Sequence, residues 1–366
     1  MKTVWVLGAG QLGAMLRQAG NPLGLTVNPV QADQPLNTVD SLQAQDVVTP
    51  EIESWPESET TLRLSQHNNF INRDVFPTIA DRKTQKELLD RLNIPTADWL
   101  PVEQSSTEDD LYKSLGADVL LKRRTGGYDG RGQHWLHQET DNTTASTIPG
   151  DFREQSIAEK AIPFDEEMSV IGVRSRSGEL NFYPLTLNKH VNGILKASIG
   201  ALPRLQALQA QAEAMLSRLL NDLDYVGVMA MECFRVGDTL LVNELAPRVH
   251  NSGHWTQAAS SINQFEAHLR AVADLPLPAI NIKGQAVMIN LVGLEYNEAW
   301  LAVAGAELYW YNKDVRAGRK LGHINFCAPE ADSLQQLAQT LPEEDQKVVD
   351  WVLDELQKTS KEQVGL

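Results

Sequence analysis

The sequence has few cysteines and little positive charge, and each shortage excludes a class of protein. Among 366 residues only Cys233 and Cys327 occur, far apart and without the close spacing of zinc ligands. The sequence therefore predicts neither a disulfide framework nor a zinc site. The formal net charge is −16. Because an anionic surface repels phosphate backbones and anionic lipids, we expect neither nucleic acid nor a membrane as a general partner.

Long apolar runs are also missing. No run approaches the roughly 18 residues that span a bilayer, and the first residues carry one lysine and a short apolar strand in place of a secretion signal. We therefore expect a cytoplasmic protein. Hydrophobic residues make up 42% of the chain, which is enough for the cores of two or three domains.

A glycine-rich turn lies near the start of the chain. The segment 3–30 predicts strand, turn, helix and strand, the opening of a parallel βαβ unit. The turn at Gly8–Gly13 fits the dinucleotide fingerprint, and Asp33 follows about 20 residues later, where an acid would bind a ribose. The same turn can place a phosphate at the helix N-terminus, or simply allow tight packing. The motif alone does not decide whether the ligand is a nicotinamide dinucleotide.

Breaks in the hydrophobic pattern predict three domains, at 1–95, 96–185 and 186–366. The first break is Ile94-Pro95, which ends a helical segment. In the middle domain we predict an antiparallel strand pair joined at Ser177-Gly178. The last domain contains a hairpin around Gly237-Asp238. An acidic amphipathic helix follows Pro342, for packing or an oligomer contact.

Two cationic clusters contrast with the acidic composition. The first combines glycines with Lys122, Arg123, Arg124 and Arg131, and the second contains Lys313, Arg316, Arg319, Lys320 and His323. Glycines let backbone N–H groups approach phosphates, and Lys122 at the end of a predicted strand would supply a point charge. Charge runs are often only solvated faces. Each cluster by itself leaves both interpretations open.

Two glutamates lie in apolar segments of the predicted hairpin. Glu232 and Glu244 are on its two arms, and a lone carboxylate is costly to bury. With a two-residue loop the side chains face opposite ways, whereas with a three-residue loop they share one face about 7 Å apart. Arginine could match such a pair as a structural feature. Magnesium is the alternative, since it takes one or two carboxylates plus phosphate oxygens.

Together these features resemble the ATP-grasp superfamily. They are the basic strand, the glycine loop, Glu159-Lys160-Ala161-Ile162, and the hairpin with Glu232 and Asn243-Glu244. Three further strings narrow the resemblance: GAGQLG at 8–13, NELAPRVHNSGHWT at 243–256 and DVRAGRKLGHIN at 314–325. With them the chain is similar to a bacterial purine-pathway family that carboxylates 5-aminoimidazole ribonucleotide. Ala246 departs from the Glu-x-Asn pattern of the superfamily, so metal binding would depend on the two glutamates.

The resemblance implies an α/β (α+β) ATP-grasp fold, with an N-terminal Rossmann-like βαβ domain, a small lid domain and a larger C-terminal domain. It implies a ligase that uses MgATP, with Mn²⁺ as an alternative metal, to phosphorylate bicarbonate. The resulting carboxyphosphate would carboxylate the exocyclic amine of 5-aminoimidazole ribonucleotide, releasing ADP and phosphate. The lid would keep water from carboxyphosphate. A homodimer is also implied.

The resemblance also implies roles for particular residues. The metal is assigned to Glu232 and Glu244. ATP is assigned to Arg82, Lys122, Gly126, Gly127, Tyr128, Asp129, Gly130, Arg131, Gly132, Glu159, Lys160, Ala161, Ile162, Glu167, His190, Asn243 and Glu244. Catalysis is assigned to Arg248, His250, Asn251 and Lys320, and the ribonucleotide to Gln11, Leu12, Glu51, Tyr128, Asp129, Arg316, Arg319 and Lys320. Whether His250 is a base or only a donor stays open.

Three alternatives remain. A nicotinamide-dependent oxidoreductase would use the N-terminal turn and Asp33, but it leaves the later motifs unexplained. Another ATP-grasp ligase, such as a formate-using glycinamide ribonucleotide transformylase, would share the metal site and differ in its acceptor. A non-catalytic sensor would bind MgATP without turnover.

Overall fold

The structure is a computed structural model and describes residues 2–127, 131–138 and 146–364. Its strands form three sheets, of three, four and nine strands, and helices pack against them. The mixed α/β architecture that the sequence predicted is therefore confirmed.

The first sheet is the predicted βαβ unit. This part contains β1 (Thr3–Leu7), α1 (Gln11–Gly20), β2 (Thr26–Val30), β3 (Val47–Pro50), α2 (Glu59–Ser65), α3 (Phe76–Ala80) and α4 (Arg82–Arg91). The strand order is β2-β1-β3, and both pairings are parallel. Leu7 pairs with Pro50, so the glycine turn after β1 and the residues after β3 meet at one edge of the sheet.

The second sheet is small and antiparallel. It is built from β4 (Trp99–Pro101), α5 (Glu108–Leu115), β5 (Asp118–Arg123), β6 (Gln133–His137) and β7 (Ser156–Lys160), with the strand order β4-β7-β5-β6. The buried face of α5 packs on the sheet to form a separate core. Because β5 and β7 are neighbours, Lys122 lies diagonally across from Glu159 on one face.

The third sheet is the largest. Its part of the chain contains β8 (Glu166–Arg174), β9 (Leu180–Phe182), β10 (Thr186–Val191), β11 (Ile194–Gly200), α6 (Gln206–Asp222), β12 (Gly227–Val236), β13 (Thr239–Ala246), α7 (Thr256–Ala259), α8 (Gln264–Val272), β14 (Ala286–Val292), β15 (Glu307–Trp310), β16 (Lys320–Cys327), α9 (Ala331–Ala338) and α10 (Glu343–Val364). The strand order is β13-β12-β8-β10-β11-β14-β16-β15, and β9 pairs with β8. The sheet therefore brings the hairpin β12–β13 next to β8 and β10.

The structure places β8 and β9 in this large sheet, whereas the predicted domain limit at 185 puts them with the middle domain. The predicted antiparallel pairing of the two strands is present. However, β8 also pairs along its whole length with β12, from Arg174 opposite Gly227 to Glu166 opposite Arg235. A limit between β7 and β8 fits this pairing, and the division into three domains otherwise stays a prediction.

The acidic C-terminal helix packs on the large sheet. Val348, Val349 and Val352 of α10 belong to the main core. A buried ion pair joins Lys196 to Asp345 at 2.7 Å, so packing accounts for the helix in this chain. Within the part of the chain that the structure describes, no helix has the length and apolar character to cross a membrane.

Buried histidines predict a loss of stability in acid. His268 accepts a hydrogen bond from the Val228 N–H at 3.1 Å, and burial lowers the pKa of His268 to about 4. In the unfolded chain the imidazole titrates near its ordinary pKa of about 6.5. The unfolded state therefore binds more protons below this pH. The free energy of unfolding should be highest above about pH 6.5 and should fall as the pH drops toward 4.

Urea unfolding measured across this pH range tests the effect. His268→Gln keeps a polar side chain but cannot titrate, so it should flatten the slope by up to about 1.4 kcal/mol per pH unit. An unchanged slope in the variant would contradict the assignment.

Candidate active site

A bulge in the hairpin decides where its two glutamates point. Val236 pairs with Thr239, so the loop has two residues, and on strict alternation Glu232 and Glu244 would face opposite ways. That consequence is wrong, because the register shifts by one residue and Glu232 lies directly opposite Glu244. The unpaired Asn243 is the extra residue of the bulge. Directly opposed residues share a face, so the two carboxylates lie together.

The electrostatics of this pair suit a divalent cation. Burial raises the pKa of Glu232; His190 counteracts this, and the neighbouring carboxylates of Glu244 and Glu167 raise it further. A metal ion would remove that repulsion, and carboxylate oxygens are ligands that magnesium prefers. Among the described residues no group of three or more His, Cys, Asp or Glu side chains is arranged to hold a metal. Two carboxylates still fit magnesium, which takes its other ligands from water and phosphate.

Arg82 connects the hairpin to the glycine loop. It lies at the start of α4, and its Nη2 is 2.8 Å from Oε1 of Glu244 and 3.0 Å from the carbonyl oxygen of Gly127. The loop needs its glycines here: a Cβ on Gly127 would lie 2.7 Å from the carbonyl oxygen of Arg131, and Gly126 has a φ of +77°.

Other predicted loop residues are only partly described. Gly132 has a φ of +71°, and Arg131 is exposed beside it. The predicted contacts of Tyr128, Asp129 and Gly130 lie outside the described residues.

Lys122 and Glu159 form a buried ion pair on the small sheet. Their nearest charged atoms are 2.6 Å apart, and the Lys122 ammonium also donates to Oδ1 of Asn243 at 2.8 Å. A second buried lysine, Lys86 of α4, lies 2.8 Å from the other oxygen of Glu159. Burial alone would raise the pKa of Glu159, but the two ammonium groups lower it to about 2. The pair therefore connects the small sheet with the hairpin bulge.

The string after Glu159 turns away from this pair. Because side chains alternate along a strand, Lys160 lies on the opposite face, where its ammonium is 3.5 Å from Asp98. Ala161 and Ile162 are half-buried and continue the backbone out of β7. The structure thus places the Glu159 side chain next to the Lys122 ammonium. The Lys160 side chain points away from this pair, and only its backbone lies close to Glu159.

Glu167 and His190 meet on neighbouring strands β8 and β10. The Nδ1 of His190 is hydrogen bonded to Oε2 of Glu167. Burial would lower the pKa of His190, but the bond to Glu167 and the charge of Glu232 raise it overall. Glu232 pairs with Ser169 of β8, so Glu167, two residues away, lies on the same face of the sheet as Glu232.

The segment after β13 holds His250 in one tautomer. Nδ1 of His250 lies 2.9 Å from Oγ of Ser252, and the backbone N–H of Ser252 donates to the same nitrogen at 3.4 Å. The neutral ring then carries its proton on Nε2, which is 3.5 Å from Oε1 of Glu232. Burial is the largest cause that lowers the pKa of His250 well below its ordinary value, and Arg248 and Lys320 add to it. The imidazole is therefore neutral, with an N–H donor beside the carboxylates.

A buried polar network that the sequence analysis missed supports this ring. Ser252 accepts a hydrogen bond from Ser169 at 2.7 Å, Asn188 donates to Ser169 at 3.0 Å, and Ser198 donates to Asn188 at 2.8 Å. The strand patterns could have indicated it, since all three partners are polar residues within apolar strands.

Arg248 and Asn251 flank His250 and have partners of their own. Arg248 pairs with Glu53 at 2.7 Å. The Asn251 amide exchanges hydrogen bonds with the Asn290 amide, at 3.0 and 2.7 Å. Glu53 and Asn290 were not predicted, because both reach the site through tertiary packing rather than through a local motif.

Glu51 fills the anion site that the glycine turn creates. Its carboxylate accepts hydrogen bonds from the backbone N–H groups of Gly10 and Gly13 at the start of α1. A Cβ on Gly8 would lie 2.4 Å from Cγ of Glu51. A larger residue at this position would therefore clash with the Glu51 side chain. Gln11 lies on the same turn, with Leu12 buried next to it. The fingerprint here seats a carboxylate, and Asp33 is exposed elsewhere.

The second cationic cluster faces this turn in part. Lys313 is hydrogen bonded to Gln11, and burial, Arg319 and Lys320 lower the pKa of Lys313 while Glu51 raises it. Lys313 was absent from the predicted site residues, although its cluster was recognised.

The remaining members of the cluster differ in exposure. Arg316 is largely exposed, 3.6 Å from Asp314, and Arg319 donates to the Asp314 carbonyl at 3.1 Å. Lys320 is half-buried at the start of β16. The inclusion of His323 was wrong. It is fully buried between Tyr311 and Gln257, and burial lowers the pKa of His323 to about 3, so it is neutral.

The fold and the paired carboxylates define the class of protein. Residues 87–265 match the family model described as the ATP-grasp domain, and residues 286–337 match the phosphoribosylaminoimidazole carboxylase C-terminal domain. A protein of Haemophilus influenzae is 48% identical over 360 residues, which cover 97% of this chain and 98% of that protein. One of Escherichia coli is 50% identical, covering 96% and 98%. Both are called N5-carboxyaminoimidazole ribonucleotide synthase, and the chain belongs to that family of ATP-grasp enzymes.

Solved structures agree with this membership. The synthetase from Thermus thermophilus has a TM-score of 0.80 and 36% identity, and covers 93% of this chain and 99% of that chain. A synthase from Aspergillus clavatus in complex with ADP and 5-aminoimidazole ribonucleotide has a TM-score of 0.78 and 26% identity, and covers 95% and 98%. The ATP-grasp fold implied by the sequence is therefore confirmed, and a nicotinamide-dependent oxidoreductase is excluded.

Proposed function

We propose that this chain catalyses the ATP- and bicarbonate-dependent carboxylation of 5-aminoimidazole ribonucleotide. The products are 5-(carboxyamino)imidazole ribonucleotide, ADP and phosphate, in purine biosynthesis. The observation that carries the proposal is the pair Glu232 and Glu244, brought to one face by the hairpin bulge beside His250 and Arg82. Membership of the synthase family supports the same reaction.

Glu232 and Glu244 bind Mg²⁺ in this proposal, with Mn²⁺ as an alternative. These two carboxylates would hold the ion, which would supply positive charge to neutralise the charge on the transferred phosphoryl group. Lys122 contacts the nucleotide phosphates, since its ammonium lies next to the bulge. Glu167 and His190 bind the ribose, and the backbone of 160–162 contacts the adenine. The loop at 126–132, with Tyr128 and Asp129, closes over the nucleotide and the aminoimidazole.

Bicarbonate binds beside Arg248, His250 and Asn251, which follow β13 directly. One of its oxygens attacks the γ-phosphorus as the bond to the ADP oxygen breaks, which gives carboxyphosphate. The amine nitrogen then attacks the carboxyl carbon, the carbon–oxygen bond to phosphate breaks, and the amine proton leaves with phosphate. His250 is a donor in both steps, because its Nδ1 accepts the Ser252 N–H and its Nε2 keeps the proton.

The ribonucleotide binds between the glycine turn and the second cationic cluster. Glu51 already holds the helix N-terminus, so the 5′-phosphate binds Arg316, Arg319 and Lys320 instead, with Lys313 joining them. Arginine forks suit phosphate oxygens. Gln11, Leu12 and Glu51 then face the ribose.

Lys320→Ala should raise the apparent KM for the ribonucleotide more than it lowers kcat. A charge-assisted hydrogen bond contributes about 1.5–3 kcal/mol, so we expect a rise of about 10- to 100-fold. Steady-state kinetics at saturating ATP and bicarbonate measure it, with Lys347→Ala, an exposed side chain of α10, as the control. An unchanged KM would mean that the cluster at 313–320 is only a solvated face.

ADP release tests the reaction itself. With MgATP present, we expect release to require both bicarbonate and 5-aminoimidazole ribonucleotide. Turnover with formate in place of bicarbonate would favour a transformylase, and MgATP binding without turnover on any acceptor would favour a sensor. We further propose that the protein works in the cytoplasm as a homodimer, as the family resemblance implied.

A further inference from the structure

We propose that Lys86 on α4 is a positioning residue for nucleotide binding: it shares the Glu159 carboxylate with Lys122, so that this buried cluster keeps one net positive charge for the phosphates of ATP. The inference rests on the proposed function, because it takes Lys122 to contact the nucleotide.

Lys86 is buried among polar atoms that fix its ammonium. Only 2% of the residue is exposed. Its Nζ lies 2.8 Å from Oε1 of Glu159 and donates to Oγ1 of Thr96 at 2.5 Å. Thr96 in turn donates to the carbonyl oxygen of Val242 at 2.6 Å. A lysine is almost never buried this fully without a partner, and Glu159 is its charged partner.

The charges of the cluster do not cancel. Lys86 and Lys122 supply two ammonium groups, and Glu159 supplies one carboxylate, with Oε1 facing Lys86 and Oε2 facing Lys122. The formal sum is therefore +1. Burial lowers the pKa of Lys86 and Lys122 lowers it further, although Glu159 opposes them. Burial and repulsion from Lys122 therefore make the charged form of Lys86 less favourable. A phosphate bound nearby would stabilise it.

The same helix also positions the metal carboxylate. Arg82 lies one turn before Lys86, on the same face of α4, and pairs with Glu244. Lys86 holds Glu159 of β7, and Lys122 reaches Asn243 in the bulge. Helix α4 therefore sets the small sheet against the hairpin. Without Lys86, Glu159 would pair with Lys122 alone, and the sum of the charges would be zero.

The affinity for ATP tests the inference. Lys86→Met keeps the methylene stem and removes the charge, so we expect the Kd of MgATP, measured by calorimetry, to rise on the order of tenfold, as the loss of a nearby charge in a partly desolvated site predicts. Adenosine, which has no phosphate, should bind unchanged. Lys86→Arg should restore ATP affinity, and Lys83→Met on the same helix serves as the control.

A double variant separates charge from structure. In Lys86→Met/Glu159→Gln the sum of the charges returns to +1, so its Kd for ATP should be lower than that of Lys86→Met. If Lys86→Met does not fold, Lys86→Gln makes the same prediction, because it keeps hydrogen-bond donors without charge. A folded single variant with the Kd of the unsubstituted chain, or a double variant no better than the single one, would overturn the inference. Failure of the unsubstituted chain to bind MgATP would instead overturn the proposed function.

Discussion

Glu244→Gln is expected to abolish turnover and leave the fold intact. The amide oxygen can still accept from Arg82, which now lies 2.8 Å from Oε1 of Glu244, so the contact between α4 and the hairpin persists. One of the two carboxylate charges proposed to hold the divalent ion is gone. A metal ion contributes several kcal/mol to such a step, so kcat should fall about a thousandfold or more.

The measurement is ADP release at saturating substrates, with thermal unfolding to verify the fold. Glu179→Gln, an exposed carboxylate between β8 and β9 of the same sheet, is the matched control and should keep its activity. A Mn²⁺ titration should show weaker metal binding in Glu244→Gln alone. Activity near that of the unsubstituted chain would remove Glu244 from the metal site.

His250→Ala is expected to lower kcat by about 100- to 1,000-fold, the usual effect of removing a donor to a developing anion. His250→Gln distinguishes a donor from a base. Glutamine cannot take a proton, but its amide can donate, so this variant should recover a substantial part of the rate. Equal loss in both variants would contradict the donor role, which the Ser252 N–H at Nδ1 predicts.

Local patterns predicted the strands and the hairpin, but not how the side chains meet. Alternation along β12 and β13 left the faces of Glu232 and Glu244 open, because a bulge adds one residue without any change in the apolar pattern. The two-residue loop occurs, yet the glutamates still share a face. Strand propensity carries no signal for the extra Asn243.

Tertiary packing decided the other differences. His323 was counted as a member of the second cationic cluster, but β16 runs through the large sheet and buries the ring against Tyr309 and Tyr311. Glu51 was assigned to the ribonucleotide, and its bonds to the glycine turn, which no local motif predicts, arise from the parallel pairing of β1 with β3. Lys86 gave no local signal beyond its spacing from Arg82, since Glu159 is distant in sequence.

Transfer of ¹⁸O from labelled bicarbonate to inorganic phosphate tests the central claim most directly. If bicarbonate attacks the γ-phosphorus and the amine then displaces phosphate at carbon, one bicarbonate oxygen leaves in each phosphate. We therefore predict labelled phosphate in a one-to-one ratio to ADP in a short reaction with 5-aminoimidazole ribonucleotide. Unlabelled phosphate formed at the same rate as ADP would contradict the account, because water or the ribonucleotide would then have accepted the phosphoryl group.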